Sequence, residues 1–221
     1  MKNLIFIILV MYVPHAFGQI PTEVLIGNKQ THYINYWQKE IDSNGKFNLF
    51  TLSRFAIDYQ DKTYNNFSIE GQLTYQLTNW LGISAGGGFE GESFVPSIGL
   101  NLSYVNAKGD LFIETYPTVL LDDIKSFNLL GFVGYTPQLN DTWSIFSQLI
   151  FSTNLLTDRT PFSPQRDILG LFTAHQQSIQ LLRIGLDFKQ KFQFGIGADF
   201  NQFFKNQGNF QNYGFFLRIT P

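Results

Sequence analysis

The chain has 221 residues, no cysteine and a net charge of -2, with 44% hydrophobic, 17% aromatic and only 14% charged residues. Soluble domains are usually about a quarter charged, so the surface this composition makes is unusually poor in charge. The near-neutral balance excludes a nucleic-acid binder held by phosphate contacts. The missing cysteines exclude disulfides, a lipidated cysteine and thiolate metal sites.

The first stretch, "MKNLIFIILVMYVPHAFGQ", has Lys2 ahead of an apolar core from Leu4 to Val13, and Ala16-Phe17-Gly18 puts small residues where a signal peptidase reads. This predicts a secretory signal peptide over 1–18 and one domain over 19–221. A spanning helix needs about 20 apolar residues, and no later run approaches that length, whereas a spanning strand needs only about 9–11.

Period-two alternation then recurs along the chain. The apolar positions are Phe47, Leu49, Phe55, Ile57 and Tyr59, then Phe67, Ile69, Leu73, Tyr75 and Leu77, then Leu81, Ile83, Ala85 and Phe89. They continue through Ile98, Leu100, Leu102 and Tyr104, then Leu111, Ile113, Val119 and Leu121, with Pro117 predicting a bulge or weak point. Next come Phe127, Leu129, Val133 and Tyr135, then Trp143, Ile145, Leu149 and Phe151. The last are Leu182, Ile184, Leu186 and Phe188, then Phe192, Phe194, Ile196 and Phe200, then Tyr213, Phe215, Leu217 and Ile219.

Within these segments the charged residues Arg54, Asp58, Glu70, Glu90, Glu114, Arg183, Asp187, Asp199 and Arg218 all take the opposite parity. The aromatic residues of the apolar face gather at segment ends. Phe47, Tyr75, Tyr104, Tyr135, Trp143, Phe188 and Phe192 lie toward the short turns, and Tyr59, Phe67, Phe89, Phe127, Phe151, Phe200 and Tyr213 toward the longer loops. Two aromatic girdles around an aliphatic band are what a barrel presents to lipid, whereas a soluble sandwich core has no reason to sort its rings this way. Short connections at Thr78-Asn79, 106–109, 137–141 and 189–191 alternate with longer ones, the longest being 155–176. An array of strands in lipid must also close, because no water satisfies an open edge.

The pattern therefore predicts an all-β fold, a closed antiparallel transmembrane β-barrel with lipid on the apolar side and a polar lumen on the other. Asn44-Gly45 is a hairpin signal, making "HYINYWQKEI" a strand, and parity then requires "TEVLIG" to cross as well. That gives about twelve strands; the alternative is ten, with 20–45 as an N-terminal extension or plug. Gly86-Gly87-Gly88 reads as a curved strand, since it lacks the Lys-Ser/Thr ending and following helix of a phosphate loop.

Over nearly the whole mature chain, including a terminal "NYGFFLRITP" strand, the sequence resembles the Gram-negative outer-membrane β-barrel superfamily. It departs in ending Ile219-Thr220-Pro221, where such proteins often end in an aromatic residue. In length, strand number and segment order it also resembles nucleoside-specific channel-forming proteins. That resemblance implies the cell outer membrane and a narrow monomeric pore with aromatic rings in its lumen. Parity puts Phe112, Tyr116, Phe132, Phe146, Phe203 and Phe216 inside, where rings either stack on bases or fill a small barrel.

The lumen-lining set expected from parity is Arg54, Asp58, Glu70, Glu114, Arg183, Asp187, Asp199, Arg218, Phe132 and Phe146. Arg54/Asp58 and Arg183/Asp187, each four apart on one face, are expected to satisfy each other or to form a charged constriction. With three arginines against six acids, a pore would favour cations. His175, with Asp167 and Ser178 nearby, has no motif around it that supports catalysis, so no enzyme activity, cofactor or metal is expected. The leading expectation is a passive channel for small hydrophilic solutes. The alternative is a filled-lumen barrel, structural or a subunit of a surface or secretion complex. Either has outer-membrane lipid as its partner and no nucleic acid.

Overall fold

A computed structural model describes residues 21–62, 65–90, 93–121, 126–156, 174–203 and 209–220. The segment 1–18 expected as a signal peptide, and the centre of the 155–176 loop, lie outside the described residues. The strands are β1 (Thr22–Gly27), β2 (Gln30–Glu40), β3 (Phe47–Asp58), β4 (Asn66–Gln76), β5 (Leu81–Glu90) and β6 (Ser93–Val105). They continue as β7 (Leu111–Leu120), β8 (Phe127–Tyr135), β9 (Trp143–Leu156), β10 (Ala174–Phe188), β11 (Phe192–Phe203) and β12 (Asn209–Ile219). Each pairs with its sequence neighbours, and β1 pairs antiparallel with β12, closing a twelve-stranded barrel. The ten-strand alternative is thereby excluded.

Closure follows from the pleat. Side chains alternate across each strand, so one parity must meet the lumen and the other the outside. Phe215 and Phe216 show the result: the first is 75% exposed on the outer wall and the second 3% exposed inside. Leu73, Ile98, Leu100, Ile184, Ile196 and Leu217 are likewise exposed on the outer wall. A continuous apolar belt of this size is a lipid-facing surface rather than a water-facing one.

Rings on neighbouring strands pack along both rims of the belt. On the turn side, Phe47 meets Tyr75 at 5.2 Å between centroids and Trp143 meets Phe188 at 4.8 Å. On the loop side, Phe55 meets Phe67 at 4.6 Å, Phe89 meets Phe94 at 5.1 Å and Phe200 meets Tyr213 at 5.8 Å.

Pro117 does not bulge its strand. The β6–β7 register keeps its offset from Gly99↔Thr118 to Leu102↔Thr115, but no pairs form between them. Pro117 thus marks a weak point of the ladder rather than a bulge, because proline removes a donor while its φ suits an extended strand. The irregularity falls instead between His175 and Gln177, opposite the loop end of β9. The β2–β3 connection spans 41–46, longer than a two-residue Asn-Gly turn, with Gly45 at φ 63° and the Asp42 carboxylate accepting from Phe47 N.

The β10–β11 hairpin turns through Lys189 and Gln190, both at positive φ, with Lys191 N donating to Phe188 O. This is the backbone of a tight hairpin that favours Asn-Gly. A left-handed conformation costs an ordinary L-residue about 1–2 kcal/mol. Lys189→Asn with Gln190→Gly is therefore expected to raise the urea unfolding midpoint without altering the register.

Candidate functional site

The barrel interior is crossed by its own side chains. In a ring of twelve strands β2 and β8 stand opposite, yet the Tyr36 and Phe132 rings lie 5.9 Å apart. Phe50 on β3 stacks on Tyr116 of β7 at 5.1 Å and meets Phe132 edge-on at 5.2 Å. Phe50, Tyr116 and Phe132 make a buried apolar cluster with Ile34, Leu52, Leu130, Ile150 and Leu181, and the half-buried Tyr36 packs against it. Leu25, Phe146 and Phe216 form a second one. The rings contact each other across the lumen, as filling side chains of a small barrel do.

A buried ionic network ties β1, β2, β10, β11 and β12 together. The Glu23 carboxylate accepts from Arg183 Nε at 2.6 Å and from Arg218 Nε at 3.1 Å. Arg183 also donates to Asp199 at 2.7 Å, and His32 Nδ1 shares a hydrogen bond with the other Asp199 oxygen at 2.9 Å. Arg218 reaches the Tyr36 hydroxyl at 2.9 Å, and its guanidinium lies 4.8 Å over the Phe146 ring. The Tyr36 hydroxyl also accepts from Gln148 on β9, so the network spans the lumen. Two guanidiniums face two carboxylates, and every one of these four groups is at least 98% buried. Buried charges persist only when so compensated.

Gly197 makes this geometry attainable. It lies opposite Arg183 in the β10–β11 register, and a Cβ there would sit 2.7 Å from Leu25 and 3.0 Å from the Arg183 side chain. Gly197→Ser, an inward change of a kind a roomy lumen would tolerate, is expected to lower the folded fraction on unheated gels, because both neighbours are themselves packed.

The remaining expected lumen residues take other partners. Arg54 bonds Glu70 at 2.9 Å and Ser68 at 3.1 Å. Asp58 accepts from the backbone NH groups of Gln60 and Asp61 at the loop mouth. Asp187 accepts from Gln193. The expected Arg54/Asp58 and Arg183/Asp187 pairings therefore do not form. Residues four apart on a strand are about 13 Å from one another, whereas a neighbouring strand is about 4.8 Å away, so each arginine pairs across the sheet. Glu114 accepts from Gln38, Asn101 and Tyr116 on one oxygen. Phe132 and Phe146 are 2% and 6% exposed, inside the two clusters.

Sequence reasoning missed Glu23 and His32 as network members. The signal for Glu23 was available, as the lone charge of a strand whose outer face is Val24 and Ile26. His32 was hidden because the inner face of β2 also carries Ile34 and Tyr36. His175 Nε2 lies 2.6 Å from Ser178 Oγ, which also bonds Thr153. Asp167 lies outside the described residues, and no acid completes that pair among them.

Above the apolar cluster, the loop end of the barrel opens as a cavity of about 80 Å³. Arg54, Glu70, Gln72, Asn128, Ser152 and Asn154 are among its lining residues. The apolar cluster below and the vestibule above are thus the site's two parts.

No family model matches the chain, and no curated protein does. Among solved structures the fold is similar to the NanC porin, at 10% identity over 91% of this chain and 98% of that one, with a TM-score of 0.53. Weaker likenesses reach the KdgM porin (11% identity, 92% of this chain and 99% of that one, TM-score 0.47) and OmpT, an outer-membrane protein of Vibrio cholerae (10%, 91% and 95%, TM-score 0.38). The class is a small closed barrel of twelve antiparallel strands, similar in fold to the NanC porin, and at this identity the likeness extends to fold alone.

Proposed function

We propose that this chain is an outer-membrane barrel with a lumen closed by its own side chains, serving as a structural or surface-assembly barrel with its loop end as the working surface. The observation that supports this is the contact of Tyr36, Phe50, Tyr116 and Phe132 from opposite walls. An ion crossing that level would have to part an apolar cluster whose members are 3% exposed or less. The lipid-facing belt and a fold similar to that of the NanC porin support the location.

The test is planar-bilayer recording. Wild-type protein is expected to show no sustained open-channel events, and Phe50→Ala with Phe132→Ala to introduce them. Steady conductance from the wild type would refute closure.

The passive channel for small hydrophilic solutes is the second reading, favoured by the porin-like fold. It requires the cross-lumen contacts to part. Glu114 and Asp187, the buried carboxylates without an arginine partner among the described residues, would then make the passage favour cations. A nucleoside-specific role would need rings free to stack on bases. The interior rings of Phe50, Tyr116 and Phe132 are engaged with each other instead.

A further inference from the structure

We infer that the loop-side vestibule is a binding site for a neutral polyhydroxylated molecule of monosaccharide size. Three properties of the lining select that chemistry. The first is charge. Arg54 and Glu70 form an ion pair at 2.9 Å, so the charged groups of the wall cancel among the described residues. The second is hydrogen-bond supply. Around the pair stand amides and hydroxyls, including Gln72, Asn128, Ser152 and Asn154. Gln72 donates to Ser97 and Ser152 donates to Asn128, so part of the wall is already held in place. Gln72 Oε1 and Asn154 Oδ1, however, have no hydrogen-bond partner among the described residues. A buried, unpaired carbonyl oxygen costs about 1–3 kcal/mol. A ligand rich in hydroxyl donors offsets that cost at Asn154 once its amide turns about its last bond, and at Gln72 by meeting Oε1 as it stands, since turning that amide would break its bond to Ser97.

The third property is shape. Where one water needs about 10–15 Å³ of such space, a cavity of about 80 Å³ holds about five to eight waters, the room taken by a single sugar ring. Val95, Leu120 and Ile179 also line the cavity, and an apolar patch of that kind fits the C–H face of a pyranose as the amides fit its hydroxyls. A hydrocarbon ligand would strand the amides, and a carboxylate or ammonium ligand would have to break the Arg54–Glu70 pair.

The site does not depend on whether the barrel floor conducts. Conductance reads the floor and binding reads the vestibule, so failure of one leaves the other legible. The full chain, refolded in a zwitterionic detergent without a sugar headgroup, would be titrated with D-glucose and followed by saturation-transfer NMR. For a ligand of about a dozen heavy atoms at about 0.3 kcal/mol per atom, saturable binding in the millimolar range is expected. Gln72→Ala with Asn154→Ala should weaken it about ten-fold, the loss expected for about one net hydrogen bond. Ser152→Trp, which fills the cavity while keeping both amides in the chain, should abolish it. Heat-shifted gel mobility would confirm that both variants fold. Glucuronate and glucosamine should bind at least several-fold more weakly than glucose. No saturable glucose binding would overturn the inference. So would undiminished binding in whichever of the two variants folds, or equal affinity for either charged sugar.

Discussion

Replacing Arg183 by methionine is expected to remove about 3–5 kcal/mol of folding stability, the usual cost of leaving buried charges without their partner. Arg183 is the only cation joined to both Glu23 and Asp199 among the described residues. Its loss strands Asp199 with His32 alone and leaves Glu23 to Arg218. The effect should appear as a lower urea midpoint and a smaller heat-shiftable fraction on gels. Adding Asp199→Asn should recover part of the loss, because the uncompensated carboxylate is then gone. If Arg183→Met alone were as stable as the wild type, the network would be a passenger of the fold rather than part of what closes it.

The second large effect is on the outer wall. Leu73→Arg and Ile196→Arg put a guanidinium into the lipid-facing belt, where a charge near the midplane costs about 2–4 kcal/mol. Both residues are exposed on the outer face, in the middle of their strands. Ser152→Lys, a change of equal charge at a residue that lines the vestibule, should assemble far better. Efficiency of insertion into vesicles, read by protease protection and gel mobility, separates the two. Equal defects at both kinds of site would contradict the assignment of lipid to the apolar parity.

The outer face was legible because lipid imposes one rule on every strand that meets it. From β3 to β12 the outward parity carries no charge and is apolar over most of each strand, with its rings at the rims, so most strands and their facing could be read from alternation alone. The lumen obeys no such rule. Where the inner face carries Ile34 and Tyr36 on β2, or Ile179 and Leu181 on β10, while Asn35, Ser178 or Gln180 stands outside, the alternation is flattened or reversed. That is why β2 read poorly and why β10, which begins at Ala174, was expected only from residue 182. The partners of the inward charges were hidden for another reason. They are set by cross-strand register, with Arg183 facing Gly197 and reaching Asp199 along the diagonal. Spacing along one strand does not encode that.

The closure of the lumen is tested most directly by single cysteines, since the chain has none of its own. Ser152→Cys, Ile150→Cys and Ile196→Cys place a thiol in the vestibule, in the apolar cluster below it and on the outer wall. Folded protein in vesicles would be exposed to a charged, membrane-impermeant thiol reagent and the extent of labelling measured. A filled barrel predicts rapid labelling at Ser152→Cys and protection at both Ile150→Cys and Ile196→Cys until the protein is unfolded. Labelling of Ile150→Cys at the rate of Ser152→Cys would contradict it, because water and solute would then reach the level where the rings of opposite walls should meet.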